Sequence, residues 1–332
     1  MKKILLFLSL IVLIVLVGCS NQAEGTQKEN NKGSEEDNDD NFPEKPIEVI
    51  IPYPPGGNSD TTSRIIIDAA SEYLPNEGRF DIINVEGGAS STGITKAAQS
   101  EPDGYTITQS TAGGIVTVPI LNDVAYNLDD FDPITGAVTI PQMLVVRSDS
   151  PWQDFDEWLD YVKENPNDFQ YANNGVGNVQ HIQMETLEDA ADIETTIIPF
   201  EGGAASAAAM IGGNADAVIT FPGTLDPDET TPLLNFGNKR SEYFPDVPTM
   251  NELYDVGIDN FVGFFAPKGV PEDRLNIIND AIKQALEDEE VIEELDKFNY
   301  EVDYRGLDDF KEYVEENIEV QSVIGEGLDI EN

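Results

Sequence analysis

The chain has 332 residues, with 64 Asp or Glu against 18 Lys or Arg, a net charge of −46. A surface this acidic repels nucleic acid and anionic headgroups, so neither is expected as a partner. One histidine, one cysteine and no carboxylates at ligand spacing argue against a metal centre, and no cofactor motif is present. The charge also points to a saline, halophilic setting, where screening is strong and acidic surfaces keep proteins soluble.

Lys2 and Lys3 precede an apolar run from Ile4 to Val17 that is short for a membrane span, followed by Gly18 and Cys19. Leu16-Val17-Gly18-Cys19 resembles a bacterial lipobox, so residues 1–19 read as a lipoprotein signal peptide ending at a lipidated Cys19. The alternative is an uncleaved anchor helix; either way the body sits at the outer face of the cell membrane. Residues 20–45 are polar and end acidic, a flexible tether that cannot bury enough surface to fold. The remaining body suffices for two lobes: 46–143 in the first, 144–237 in the second, and 238–332 returning to the first.

The body opens on a β-branched strand, Ile47 to Ile51, then the turn Tyr53-Pro54-Pro55-Gly56-Gly57. A helix follows, with Asn58, Ser59 and Asp60 as candidate caps and Ile65, Ile66, Ala69 and Ala70 as its apolar stripe. A glycine turn feeding a helix N-terminus aims backbone N–H groups into a crevice where the helix dipole favours an anion. No Gly-Lys-Ser/Thr follows, so this is not a nucleotide P-loop, and alone it is an ordinary βα turn.

Phe80 to Val85 and Tyr105 to Gln109 read as the next strands, ending in Glu86-Gly87-Gly88-Ala89-Ser90 and Ser110-Thr111-Ala112-Gly113-Gly114. A short helix is expected over Ile94 to Gln99 and a turn-rich link over Asn127 to Pro133. A strand over Met143 to Arg147 then crosses to the second lobe. There the alternation restarts: helix Phe155 to Glu164, strand Phe169 to Ala172, and the turn Asn173 to His181. Helix Ile182 to Ala190, strand Thr195 to Pro199, helix to Ile211 and strand Ala217 to Phe221 complete it. The return leg is Leu233 to Gly237, strand Phe261 to Ala266, and helices at Pro271–Leu286, Glu290–Phe298 and Leu307–Val323. In an open parallel sheet ligands bind outside the carboxyl ends of the strands, where these Gly/Ser/Thr turns stand.

Several longer motifs carry a resemblance. Tyr53-Pro54-Pro55-Gly56-Gly57-Asn58-Ser59-Asp60, Glu101-Pro102-Asp103-Gly104-Tyr105-Thr106 and Asn174-Gly175-Val176-Gly177-Asn178-Val179-Gln180-His181 are three of them. Pro199-Phe200-Glu201-Gly202-Gly203-Ala204, Phe244-Pro245-Asp246-Val247-Pro248-Thr249 and Phe265-Ala266-Pro267-Lys268-Gly269-Val270-Pro271 are the others. In order and spacing from Pro46 to about Ile324, the sequence resembles the extracytoplasmic solute receptors of tripartite tricarboxylate transporters, the TctC or Bug family. The resemblance implies an α/β type II periplasmic-binding-protein fold, two lobes joined by crossover hinge strands. It also implies capture of a small organic carboxylate, delivery to a membrane permease, and no catalysis. By matching position it puts Tyr53, Gly56, Gly57, Asn58, Asp60, Ser90, Thr111, Asn174, Gly177, Asn178, His181 and Gly202 at the ligand. The chain departs from the family at Asn58-Ser59, in the EGGASS turn, at Glu201 and over Gly223 to Thr231, where Pro227 opposes a regular helix.

Each residue has a plainer reading. Asp60 suits a helix cap, Tyr53 hinge packing, and His181 a structural role. Two other functions stay open: a ligand-binding sensor feeding a two-component system, and an extracellular hydrolase with His181 as base, although a Gly-x-Ser-x-Gly elbow is absent.

Overall fold

A computed structural model describes residues 41–200 and 202–325. The expected signal peptide, the lipidation of Cys19, the tether up to residue 40, Glu201 and residues 326–332 lie outside the described residues. The first lobe opens with β1 (Ile47–Ile51), α1 (Asn58–Ala70), β2 (Phe80–Asn84), α2 (Ser91–Ala98), β3 (Thr106–Thr111), α3 (Val118–Leu121) and β4 (Phe131–Thr139). The second holds β5 (Met143–Arg147), α4 (Phe155–Glu164), β6 (Gln170–Asn173), α5 (Val179–Ala191), β7 (Thr196–Pro199), α6 (Gly203–Ile211), β8 (Ala217–Thr220) and β9 (Thr230–Asn235). α7 (Met250–Tyr254) follows, and the chain returns through β10 (Phe261–Pro267), α8 (Glu272–Leu286), α9 (Glu289–Asp296), β11 (Glu301–Arg305) and α10 (Leu307–Gly325).

The sheets run β11-β4-β10-β3-β1-β2 and β7-β6-β8-β5-β9. Leaving out β11, they are built alike. Each has three parallel strands, then an antiparallel strand arriving from the other lobe, then the strand that leaves for it. The similar turns EGGAS and EGGAAS follow the equivalent edge strands β2 and β7. This is the α/β two-lobed architecture expected from the sequence.

Alternation along the strands sorts the cores. Ile47 and Val49 join Ile66, Ile67, Phe264 and Ile282 on one face of the first sheet, while Ile50 joins Ile94, Phe265 and Phe310 on the other. Gly263 is required where it stands, because a Cβ there would lie 2.1 Å from the Phe310 ring of α10. In the second lobe Trp158, Phe169, Tyr171, Leu187 and Phe236 form the larger core.

Several boundaries differ from the expectation. Phe42 is 2% exposed and packs on Tyr105, with ring centroids 5.0 Å apart, so the ordered body starts before residue 46. Phe131 to Pro133, read as part of a link, already pair with β10 as β4. Phe236 and Met250 are buried in the second lobe's core, which therefore runs past the expected boundary at 237. Residues 140–142 and 236–260 are the two crossovers, tied by Ile140 N to Asn260 O (2.8 Å) and Phe236 N to Gln142 O (3.0 Å).

Candidate functional site

In the first lobe the turns after β1, β2 and β3 come together. The hydroxyls of Tyr53 and Thr111 lie 2.8 Å apart. A Cβ on Gly114, just after β3, would sit 2.8 Å from the Ser90 hydroxyl. The absence of a side chain at 114 is what lets these two turns meet.

Asp60 organises the first turn from inside. Its carboxylate accepts the Gly56 N–H (2.8 Å), the Asn84 side-chain amide (2.7 Å) and the Arg64 Nε (3.0 Å). Asn84 also donates to the Tyr53 carbonyl at 3.0 Å, and Arg64 donates to the Asn84 carbonyl oxygen at 2.9 Å. Burial opposes the Asp60 charge, but Arg64, Gly56 and Asn84 outweigh it and hold the carboxyl below its ordinary value. Asp60 is thus engaged within its own lobe, not as the helix cap expected from the sequence but as a first-turn residue of α1 that holds Gly56, Arg64 and Asn84. Gly57, as N-cap of α1, makes no side-chain cap, and the first helical amides beyond it have no intrahelical acceptor.

The second turn is strained. Gly87, Gly88, Ala89 and Ser90 all have positive φ, at 128°, 54°, 51° and 80°. Two of these are not glycine, and each such residue costs about 1–2 kcal/mol. The strain brings Ser90 to the N-cap of α2 with its side chain 5% exposed and its hydroxyl without a hydrogen-bond partner. An unpartnered buried hydroxyl is costly in an empty protein and useful in one that binds a polar ligand.

In the second lobe Asn178 caps α5: its side-chain oxygen accepts the His181 N–H at 3.0 Å, and its amide donates to the Gly175 carbonyl at 2.9 Å and to Asn174 Oδ1 at 2.5 Å. His181 is 7% exposed; its Nδ1 accepts the Gly177 N–H at 3.1 Å and its Nε2 lies 3.3 Å from Glu185. Both ring nitrogens are engaged, so the imidazole holds the turn and has no free nitrogen to act as a base. Gly202 precedes α6 at φ 91° and ψ 162°, a conformation essentially confined to glycine, with nothing near the position a Cβ would take.

The expected residues therefore form two sets, one per lobe, at the strand ends the crossovers connect. No hydrogen bond among the described residues joins Tyr53–Asp60, Ser90 or Thr111 to Asn174–His181 or Gly202. A cavity of about 320 Å³ lies elsewhere, at the crossovers and β11, lined among others by Gln142, Asn235, Tyr243, Tyr300 and Glu301. None of the expected ligand residues lines it.

Sequence reasoning passed over Asn84, Gln109 and the pair Gln180–Gln142, whose amides meet at 3.2 Å and tie α5 to the first crossover. The available signal was position: Asn84 ends β2, and Gln109 interrupts an otherwise small or apolar strand. Among the described residues no group of His, Cys, Asp or Glu is arranged to hold a metal ion, and no helix is long and apolar enough to cross a membrane.

Two like α/β lobes, joined by two crossovers and presenting glycine turns and helix N-termini at their strand ends, define a solute-binding protein. Residues 64–329 match the tripartite tricarboxylate transporter family receptor, and the chain belongs to that family. It is 30% identical over 296 residues to the UPF0065 protein in the gbd 5' region of Cupriavidus necator, covering 87% of this chain and 89% of that one. With BugT of Bordetella pertussis it shares 28% over 267 residues, 76% of this chain and 80% of that protein. A TctC solute-binding protein from Polaromonas superposes with a TM-score of 0.78 at 25% identity, covering 86% of this chain and 100% of that one. MatC from Rhodopseudomonas palustris, with bound malate, shares the fold at a TM-score of 0.69 and 24% identity, covering 86% and 100%. The chain is a solute receptor and not an enzyme.

Proposed function

We propose that this receptor is a lipid-anchored extracytoplasmic protein that captures a small organic carboxylate between its lobes and delivers it to a tripartite tricarboxylate-type membrane permease. The observation that carries the reading is the first-lobe site: the uncapped α1 N-terminus beside Tyr53 and Thr111, and the buried, unpartnered Ser90 hydroxyl. Backbone N–H groups and hydroxyls are donors without a net charge. They suit a carboxylate that must be bound firmly and then released. On the other lobe the first helical amides of α5 and α6 supply the facing donors once the lobes close, in turns shaped by Asn174, Gly177, Asn178 and Gly202. The malate held by MatC agrees with a carboxylate ligand. Anchoring through Cys19 rests on the lipobox-like sequence.

Titration calorimetry of the purified protein in molar salt with malate, adipate and citrate tests this. Saturable binding of at least one acid, abolished when the acid is replaced by its diamide, is the expected result. Equal binding of acid and diamide, or no binding of any of them, would overturn the carboxylate reading.

A further inference from the structure

Gln109 is the largest polar residue of β3, and it is fully buried. Neither its side-chain oxygen nor its side-chain nitrogen has a hydrogen-bond partner. It stands opposite Phe264 of β10, and Thr111 stands opposite Val262. Both phenylalanine and valine belong to the core beneath α1 and α8, so Gln109 and Thr111 share that face of the sheet. An apolar side chain of the same size would pack there without orphaned atoms, whereas each orphan is destabilising. Two buried orphans on one side chain, two residues from a hydroxyl of the candidate site, call for a partner that the unliganded arrangement does not provide.

We propose that Gln109 is a positioning residue for the ligand, acting through Thr111; this rests on the carboxylate reading above. In the structure one of the Tyr53 and Thr111 hydroxyls donates to the other at 2.8 Å. A carboxylate entering the site accepts from hydroxyls and donates nothing, so both must turn their protons toward it. Where Tyr53 is the donor of their mutual bond, Thr111 Oγ1 then keeps only the long Gly114 N–H contact, at 3.4 Å, and has a lone pair to fill. Rotation of the last torsions of Gln109, one strand repeat away, brings its Nε2–H to that oxygen. The result is a one-way chain from Gln109 Nε2–H to Thr111 Oγ1–H to the ligand oxygen, in which each bond polarises the next. Gln109 Nε2 gains an acceptor when the site is filled, so its orphaned N–H favours the bound state.

The test uses Gln109→Leu and Gln109→Glu in the purified protein, with malate and adipate as probes in molar salt. Gln109→Leu removes both orphans at nearly constant volume, so its melting point without ligand should equal or exceed wild type, while its affinity falls about tenfold. Gln109→Glu supplies the rescue. Buried among apolar groups, its carboxyl is neutral and a donor at low pH and loses that proton as pH rises. Relative to wild type at each pH, its affinity should therefore approach wild type at pH 5 and fall away by pH 8. A purely structural glutamine would not produce that pH-dependent difference. Wild-type affinity in Gln109→Leu, or a Gln109→Glu to wild-type ratio that does not change with pH, overturns the inference while the carboxylate reading stands. A wild-type protein that binds neither acid nor citrate overturns both.

Discussion

Replacing Gly57 by aspartate separates anion binding from folding at one position. Gly57 has φ −74° and ψ 167°, ordinary N-cap geometry open to any residue, and a Cβ there would meet only the Pro54 carbonyl, at 3.3 Å. Aspartate is a preferred N-cap, better than glycine by a few tenths of a kcal/mol, which offsets that tight contact. The melting point should therefore stay within about 2 °C of wild type. Binding should not survive. The new carboxylate takes the free amides of the α1 N-terminus and stands next to the place of the ligand's own. Two unit charges about 4 Å apart repel by about 4 kcal/mol at an effective dielectric of 20, roughly a thousandfold in affinity. Gly57→Ala is the control, adding the Cβ without the charge, and should lose no more than about fivefold. Calorimetry with the best carboxylate of the panel, on samples matched by thermal melts, reads both quantities. Retained affinity in Gly57→Asp, or an equal loss in Gly57→Ala, would refute the helix-terminus account.

Three further predictions follow from the charged groups. Asp60 is held below its ordinary value, so its contribution is complete above the unfolded carboxylate value of about 3.9 and disappears as pH falls through the lowered folded value; Asp60→Ala should speed Gly56 amide exchange at pH 6, and unchanged protection there would contradict its role. Glu301 of β11 accepts from the Ser241 hydroxyl and the Glu242 N–H of the second crossover. Burial pushes its carboxyl up, against those hydrogen bonds, so the ionised form costs stability that returns as pH falls from the raised value toward about 4.3. Glu301→Gln should then melt higher than wild type at pH 7.5 and equally at pH 4.5, and a lower melting point at pH 7.5 would show that the charge is stabilising. The net charge of −46 predicts a melting point that climbs from low salt to molar salt as self-repulsion is screened; a maximum at low salt would remove the saline expectation.

The strand-turn-helix units were legible because their chemistry is local. Proline and glycine at 53–60, and glycine with the Asn178 cap at 174–181, restrict the backbone locally. The helix Phe155–Glu164 is legible from the stripe of Trp158, Leu159 and Val162 on one face, and in the structure Asp154 caps it. β11 was not legible: Glu-Val-Asp-Tyr-Arg carries three charges, and what makes it a strand is pairing with β4, more than 160 residues earlier. The second lobe's extension past 237 was hidden for the same reason, since Phe236 and Met250 reveal their lobe only by the core they enter. At the site, glycine and hydroxyl positions were readable as turn chemistry, whereas the Asp60–Asn84–Arg64 network joins residues from a helix and a separate strand. His181 looked chemically suggestive only because its two partners, Gly177 N–H and Glu185, cannot be assigned without coordinates.

The most direct test of the central claim is to follow the backbone amides of the labelled protein while malate or adipate is added in molar salt. The account predicts that the largest shifts fall on Asn58 and Ser59 in the first lobe and on Gly177, Asn178 and Gly203 in the second, appearing together at one affinity. Shifts confined to the residues around Tyr243, Glu301 and the 320 Å³ cavity, with those five amides unmoved, would place the ligand elsewhere and contradict it.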